Sequence, residues 1–171
     1  ADINETLECW EIALKSNNTP SAIALSRQKV PYINPKNSKE NKSERGAYVV
    51  NLTSHESEVT LVASGTEVEL ALKVQKLLTK SNIHSKVVSM PCMELFDKQS
   101  EGYRNDILEI NSLIVTLEAG SIMSWRKYTG HRGINLGIDK FGESAPYKEI
   151  YNYLDLSEEK ITSFIQNKLR K

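Results

Sequence analysis

Apolar positions along this chain alternate between two rhythms. Over 67–80, Leu70, Val74, Leu77 and Leu78 recur at helical spacing and predict an amphipathic helix. Over 59–64, the run VTLVAS is continuous and rich in β-branched residues, which predicts a strand. Further strands are expected at GAYVVNL (46–52), SKVVS (85–89), LIVTL (113–117) and around 134–138. Helical segments are expected across 92–109 and at 121–128, and two helices close the chain. The last is traced by Ile161, Phe164, Ile165, Lys168 and Leu169, and Ser157 begins it with two glutamates behind.

Strands alternating with helices imply a mostly parallel sheet covered on both faces. The connection TSHESE is too short for a helical crossover, so the first two strands are expected to pair antiparallel. The expected fold class is therefore α/β, a three-layer αβα arrangement around a five-stranded mixed, mostly parallel sheet whose first strand is antiparallel.

The N-terminal part differs in kind. Residues 2–17 read as a helix that Asp2 or Asn4 can cap, with Leu7, Trp10 and Leu14 as its apolar positions. SAIALSR (21–27) is a short apolar run that fits a strand buried on both faces. KVPYINPKNSKENKSERG (29–46) is rich in Lys, Asn, Ser and Pro and cannot build a core face, so it reads as a surface linker. Three parts are expected: 1–28, a linker at 29–45, and a domain at 46–171. The chain opens with Ala inside a helical pattern, as a piece of something longer would.

Composition narrows the function classes. The apolar share is 39% and the charged share 26%, ordinary for a globular protein. Lys and Arg number 22, as do Asp and Glu, so charge gives no reason to expect nucleic acid or an acidic membrane. Cys9 and Cys92 stand far apart without a CxxC neighbour, which favours free thiols over a disulfide or metal site.

Four places invite chemistry. Ser64-Gly65-Thr66 joins a strand to a helix, as phosphate cradles do. It has one glycine and no following Lys, and Thr66-Glu67-Val68-Glu69 reads as a capping box that satisfies the free N–H groups itself. Glu118 ends a strand where α/β sheets usually carry ligands. No second acid or His accompanies it, so an ion pair with Arg104, Arg126 or Lys127, or a helix cap, is the favoured reading. His55, His84 and His131 are scattered without ligand spacing. Arg27 follows an apolar strand directly. Its guanidinium could grip a phosphate by two parallel hydrogen bonds or could pair with a nearby carboxylate, and the residues alone leave both open.

Longer segments carry a resemblance. PSAIALSRQ, VTLVASGTEVELA, KVVSMPCMELFDKQ, YRNDIL, LEAGSIMSWRKYTG and GIDKFGESAP stand in the order in which transketolases carry similar segments. The chain resembles the end of the pyrimidine-binding domain followed by the whole C-terminal domain, over nearly its full length apart from the linker. The resemblance implies a parent enzyme, a cytoplasmic homodimer, that moves a two-carbon ketol unit from a ketose phosphate to an aldose phosphate. It implies thiamine diphosphate and a divalent metal, usually Mg²⁺, as the parent's cofactors. It also implies that Arg27, in SRQ, belongs to the cluster holding the substrate phosphate; Ser26 and Gln28 match without an assigned role.

The family's GDG…N segment, its activating glutamate and its thiazolium-side histidines are not in this sequence. No catalytic, cofactor-binding or metal-binding residue is therefore expected here, and the isolated chain is expected to be inactive, with 46–171 supporting dimer architecture. Trp10 and the 22–25 run are expected to pack on the C-terminal domain or to meet another copy. LSRQ with FGESAP favours transketolase over dihydroxyacetone synthase, 1-deoxyxylulose-5-phosphate synthase and the β subunits of 2-oxoacid dehydrogenases, which resemble it in fold. A stand-alone small-molecule-binding module, with a site near Ser64, Glu118 and Ser121, is the alternative of a different class.

Overall fold

A computed structural model describes residues 1–33, 40–54 and 56–170. Five strands, β1 (Tyr48–Leu52), β2 (Val59–Ala63), β3 (Ser85–Ser89), β4 (Leu113–Leu117) and β5 (Ile134–Leu136), make one sheet in the order β1-β3-β2-β4-β5. β2, β3, β4 and β5 run parallel, and β1 lies antiparallel at the edge beside β3.

The period-two alternation of strands divides the core. On one face Val59, Leu61, Ala63, Val115 and Leu117 meet Leu70, Val74 and Leu78 of α2 (Glu67–Lys80) and Ile161 and Ile165 of α7 (Glu158–Leu169). Tyr151 of α6 (Tyr147–Tyr153) packs against the same face. On the other, Val62, Val88 and Ile114 meet Phe96 of α3 (Met93–Asp97), Ile107 and Leu108 of α4 (Glu101–Leu108), Trp125, and Tyr128 of α5 (Arg126–Thr129). The architecture is the expected three-layer αβα. Each fully buried aliphatic or Phe side chain contributes about 1.5–3 kcal/mol, so the two faces supply most of the driving force.

Two expectations about connectivity need correction. β1 is reversed relative to β2, as the short connection required, but the two do not pair. β3 lies between them, and residues on either side of the connection bond to its start: the Thr53 and Glu58 amides donate to the Ser85 and His84 carbonyls at 3.1 and 2.9 Å. The helix expected at 121–128 resolves into a 3₁₀ turn at Met123–Trp125 and the short α5. On α7, Phe164 is half exposed, so its apolar stripe is narrower than the sequence suggests.

The N-terminal part behaves differently again. Helix α1 (Ile3–Lys15) is capped by Asp2, whose Oδ1 accepts from the Glu5 amide at 2.9 Å. Its acids face the domain. The Glu5 carboxylate accepts from Tyr48 Oη at 2.9 Å and from Ser89 Oγ. Glu8 Oε2 accepts from the Ser43 amide at 2.9 Å and from Ser43 Oγ at 2.7 Å. The apolar residues face away, with Leu7 60% and Trp10 48% exposed.

SAIALSR forms no strand. Leu25 is 61% exposed, and Ile23 alone in the run is half-buried. The run does not join the sheet, whose five strands all come from residues 48–136. Trp10 is 48% exposed as well, so neither is covered in the way a core residue is. The linker is also less simple than expected. Residues 34–39 and His55 lie outside the described residues, but Lys42–Arg45 form a 3₁₀ turn with Ser43 buried. Gly46 ends that turn at φ +80°, where a Cβ would stand 2.3 Å from the Cys92 carbonyl oxygen.

Candidate functional site

Arg27 is exposed and makes no hydrogen bond or ion pair with another described residue. No carboxylate among the described residues pairs with it. Its guanidinium is free to bind an anion.

The ends of β2 and β4 hold a second polar cluster. Glu118 follows β4, and its Oε2 accepts from Trp125 Nε1 at 3.0 Å and from Ser64 Oγ at 3.4 Å. None of the proposed cations reaches it. Lys127 pairs with Asp97, and Arg104 donates to the Asp97 carbonyl at 3.3 Å. Burial raises the Glu118 carboxyl above its ordinary value, and the negative charge of Glu67 adds to the shift.

That second acid is the feature sequence reasoning missed. Glu67 is buried, accepts from Thr66 Oγ1 at 2.8 Å, and accepts from the Tyr151 hydroxyl 84 residues away. No local pattern marks a pairing at that separation. Burial and the Glu67 contact push the Tyr151 hydroxyl far up, so it stays a donor.

The capping box does not form. The Glu67, Val68 and Glu69 amides donate to the Ser64, Gly65 and Thr66 carbonyls at 3.2–3.3 Å, which leaves the Thr66 hydroxyl for Glu67. Gly65 takes φ +54° to make the turn. The segment is a strand-to-helix turn, not a phosphate cradle, because those amides are already bonded.

The groups at the strand ends are spent on one another. Ser64 and Trp125 hold Glu118, and Ser121 Oγ donates to Asp139 at 3.2 Å. Their bonding orients the strand-end loops and leaves no open constellation for a small ligand at Ser64, Glu118 and Ser121.

Among the described residues, no three His, Cys, Asp or Glu side chains converge on a point that could hold a metal ion. The Cys9 thiol is pushed up to about 11, chiefly by burial, and Cys92 is raised by burial as well, so neither is a ready nucleophile. No helix among the described residues is long and apolar enough to cross a membrane.

Comparison with known proteins adds four findings. A family model described as the transketolase-like TK C-terminal domain matches residues 46–157. A transketolase of Rhodobacter capsulatus is 40% identical over 175 residues, covering 99% of this chain and 26% of that protein. One from Bacillus subtilis is 40% identical over 174 residues, covering 100% and 26% respectively. A solved Pichia stipitis transketolase in complex with sedoheptulose-7-phosphate superposes with a TM-score of 0.90 at 31% identity, over 99% of this chain and 24% of that one. The chain thus spans roughly a quarter of the length of these relatives.

Proposed function

The chain belongs to the transketolase family, and from that premise we propose that it is the C-terminal part of an enzyme that moves a two-carbon ketol unit between sugar phosphates. Residues 1–28 are read as the end of a preceding pyrimidine-binding domain and 46–171 as the C-terminal domain. Thiamine diphosphate and a divalent metal belong, on this reading, to the rest of the protein, where the cofactor supplies the carbanion that carries the ketol unit. This chain contributes no group to that step.

Its own contribution is Arg27, read as a contact to the substrate phosphate. The observation that carries this role is an exposed guanidinium without a carboxylate partner. The sugar phosphate bound to the Pichia stipitis relative supports the substrate class. A homodimeric, cytoplasmic assembly completes the proposal.

The test is Arg27→Ala in the full-length protein. One charge-assisted contact is worth about 1.5–3 kcal/mol, so the KM for a phosphorylated ketose is expected to rise about 10- to 100-fold. A ketol donor without phosphate should be unaffected. An unchanged KM for the phosphorylated donor would remove Arg27 from the site.

A further inference from the structure

The segment GIDKFGESAP (137–146) begins where β5 ends, and the proposed function gives it no role. Its first residues are fastened to the loop that follows β4. The Ile138 amide donates to the Gly120 carbonyl at 2.7 Å. Asp139 Oδ1 accepts from Ser121 Oγ at 3.2 Å and from the Ile122 amide at 3.3 Å. Gly137 lets the two loops close on each other, since a Cβ there would stand 2.4 Å from Ile122 Cγ2.

The fastened loops hold two apolar side chains out in solvent. Phe141 is 97% exposed and Met123 80%, the two highest values among the large apolar residues described. Single exposed apolar residues are ordinary. The two most exposed ones standing on loops bonded to each other are not, because the hydrogen bonds fix a surface that water disfavours. What covers that surface follows from where the chain enters. This chain spans roughly a quarter of the length of its relatives, and on the proposed reading the remainder precedes Ala1. Ala1 is tied to Glu5, whose carboxylate accepts from Ser89 at the end of β3 and from Tyr48 at the start of β1. β3, β4 and β5 run parallel, so Ala1 and the two loops lie at the same pole of the sheet. Three strand spacings, about 14 Å, separate β3 from β5. A folded body of several hundred residues has a radius of gyration of about 20 Å, so one that arrives at this pole spans that interval.

We infer that the loops at 120–123 and 137–141 dock the C-terminal domain onto the preceding part of the same polypeptide, with Phe141 as the anchor and Met123 on the adjoining loop. This rests on the chain being the C-terminal part of a longer enzyme. Aromatic side chains and Met are the residues that the buried centre of an interface favours, and one aromatic anchor commonly carries most of the attachment. The bonds from Asp139 fix the loops beforehand, so docking orders little that is not already ordered.

Hydroxyl-radical footprinting of the full-length protein reads side-chain exposure directly, and the three phenylalanines of this chain supply an internal scale. Phe96 is fully buried and Phe164 is 51% exposed. Left uncovered, Phe141 would oxidise about twice as fast as Phe164. Docked, it is expected to react at roughly a tenth of that rate, close to Phe96, with Met123 protected likewise. Phe141→Ser removes a side chain that the domain itself does not bury. In the full-length protein it is expected to raise Met123 oxidation about 3- to 10-fold, with the molar mass by light scattering unchanged.

Phe141 oxidising about twice as fast as Phe164 in the full-length protein would overturn the inference. So would a Phe141→Ser variant that leaves Met123 as protected as before. A fall in molar mass in that variant would assign the surface to a second copy and overturn it too. If the full-length protein transfers ketol units while Phe141 stays reactive, the docking alone falls. If it transfers none while Phe141 is protected, the proposed activity falls and the docking stands.

Discussion

Helices α1 and α2 carry the same kind of amphipathic pattern and use it in opposite ways. α2 buries Val68, Leu70, Ala71, Val74 and Leu78 against the sheet. α1 turns Glu5 and Glu8 inward and leaves Ile3, Leu7, Trp10 and Leu14 exposed. One helix is held by apolar area, the other by a few charge-assisted hydrogen bonds. An apolar stripe in a sequence says that a face wants covering. It does not say that the cover lies within the same stretch of chain.

The largest expected contrast comes from deleting apolar volume in the sheet. Leu61 is fully buried in β2, and Leu61→Ala should cost about 2–5 kcal/mol in urea unfolding of the chain. A cost below about 1 kcal/mol would mean that the core is looser than its burial indicates.

Tyr48→Phe tests the polar attachment of α1. It removes one donor from the buried Glu5 carboxylate and should cost about 1–3 kcal/mol, felt locally. Hydrogen exchange should quicken across residues 3–15 while the protection of β2 and β4 holds. Uniform loss of protection would show that α1 and the sheet form one cooperative unit.

Glu118→Gln probes a half-buried carboxylate through pH. The Glu118 carboxyl is raised above its ordinary 4.5, so the folded chain binds its proton more tightly than the unfolded chain does. Stability from this group is present below about pH 4.5 and is lost as pH rises through the folded value. The Gln variant keeps an acceptor for Trp125 and should flatten that decline. An unaltered slope between about pH 4.5 and neutrality would exonerate Glu118.

The smallest effect is expected at the other end of the comparison. Leu7→Ala, on the exposed stripe of α1, should change the stability of this chain by no more than about 0.5 kcal/mol. A cost near that of Leu61→Ala would mean that the stripe is covered in solution.

Much of this contrast could be read from residues, and the reasons for the exceptions are physical. α2, β3 and β4 fall where periodicity and β-branched runs place them, because each buries the face its own pattern defines. The neighbour of β1 could not be read that way. A short connection fixes the direction of a strand but not which strand lies beside it. SAIALSR reads as a strand from its composition, yet pairing depends on a partner strand that composition does not identify, and here the run pairs with none of the five strands. The link between Glu67 and Tyr151 joins residues 84 apart, beyond the reach of any local pattern. Arg27 was legible as a candidate from the sequence, and the structure adds only that it is exposed and without a partner among the described residues.

The reversal of β1 also decides where the chain comes aboard the sheet. Tyr48, the first residue of β1, lies opposite Ser89, the last of β3. The polypeptide therefore arrives at the pole where the four parallel strands finish, and β1 serves as a return stroke that carries it back to the pole where they begin. A parallel β1 of the same five residues would have moved the point of arrival by about 16 Å, to the far rim. One inverted strand thus sets which rim of the sheet receives the chain.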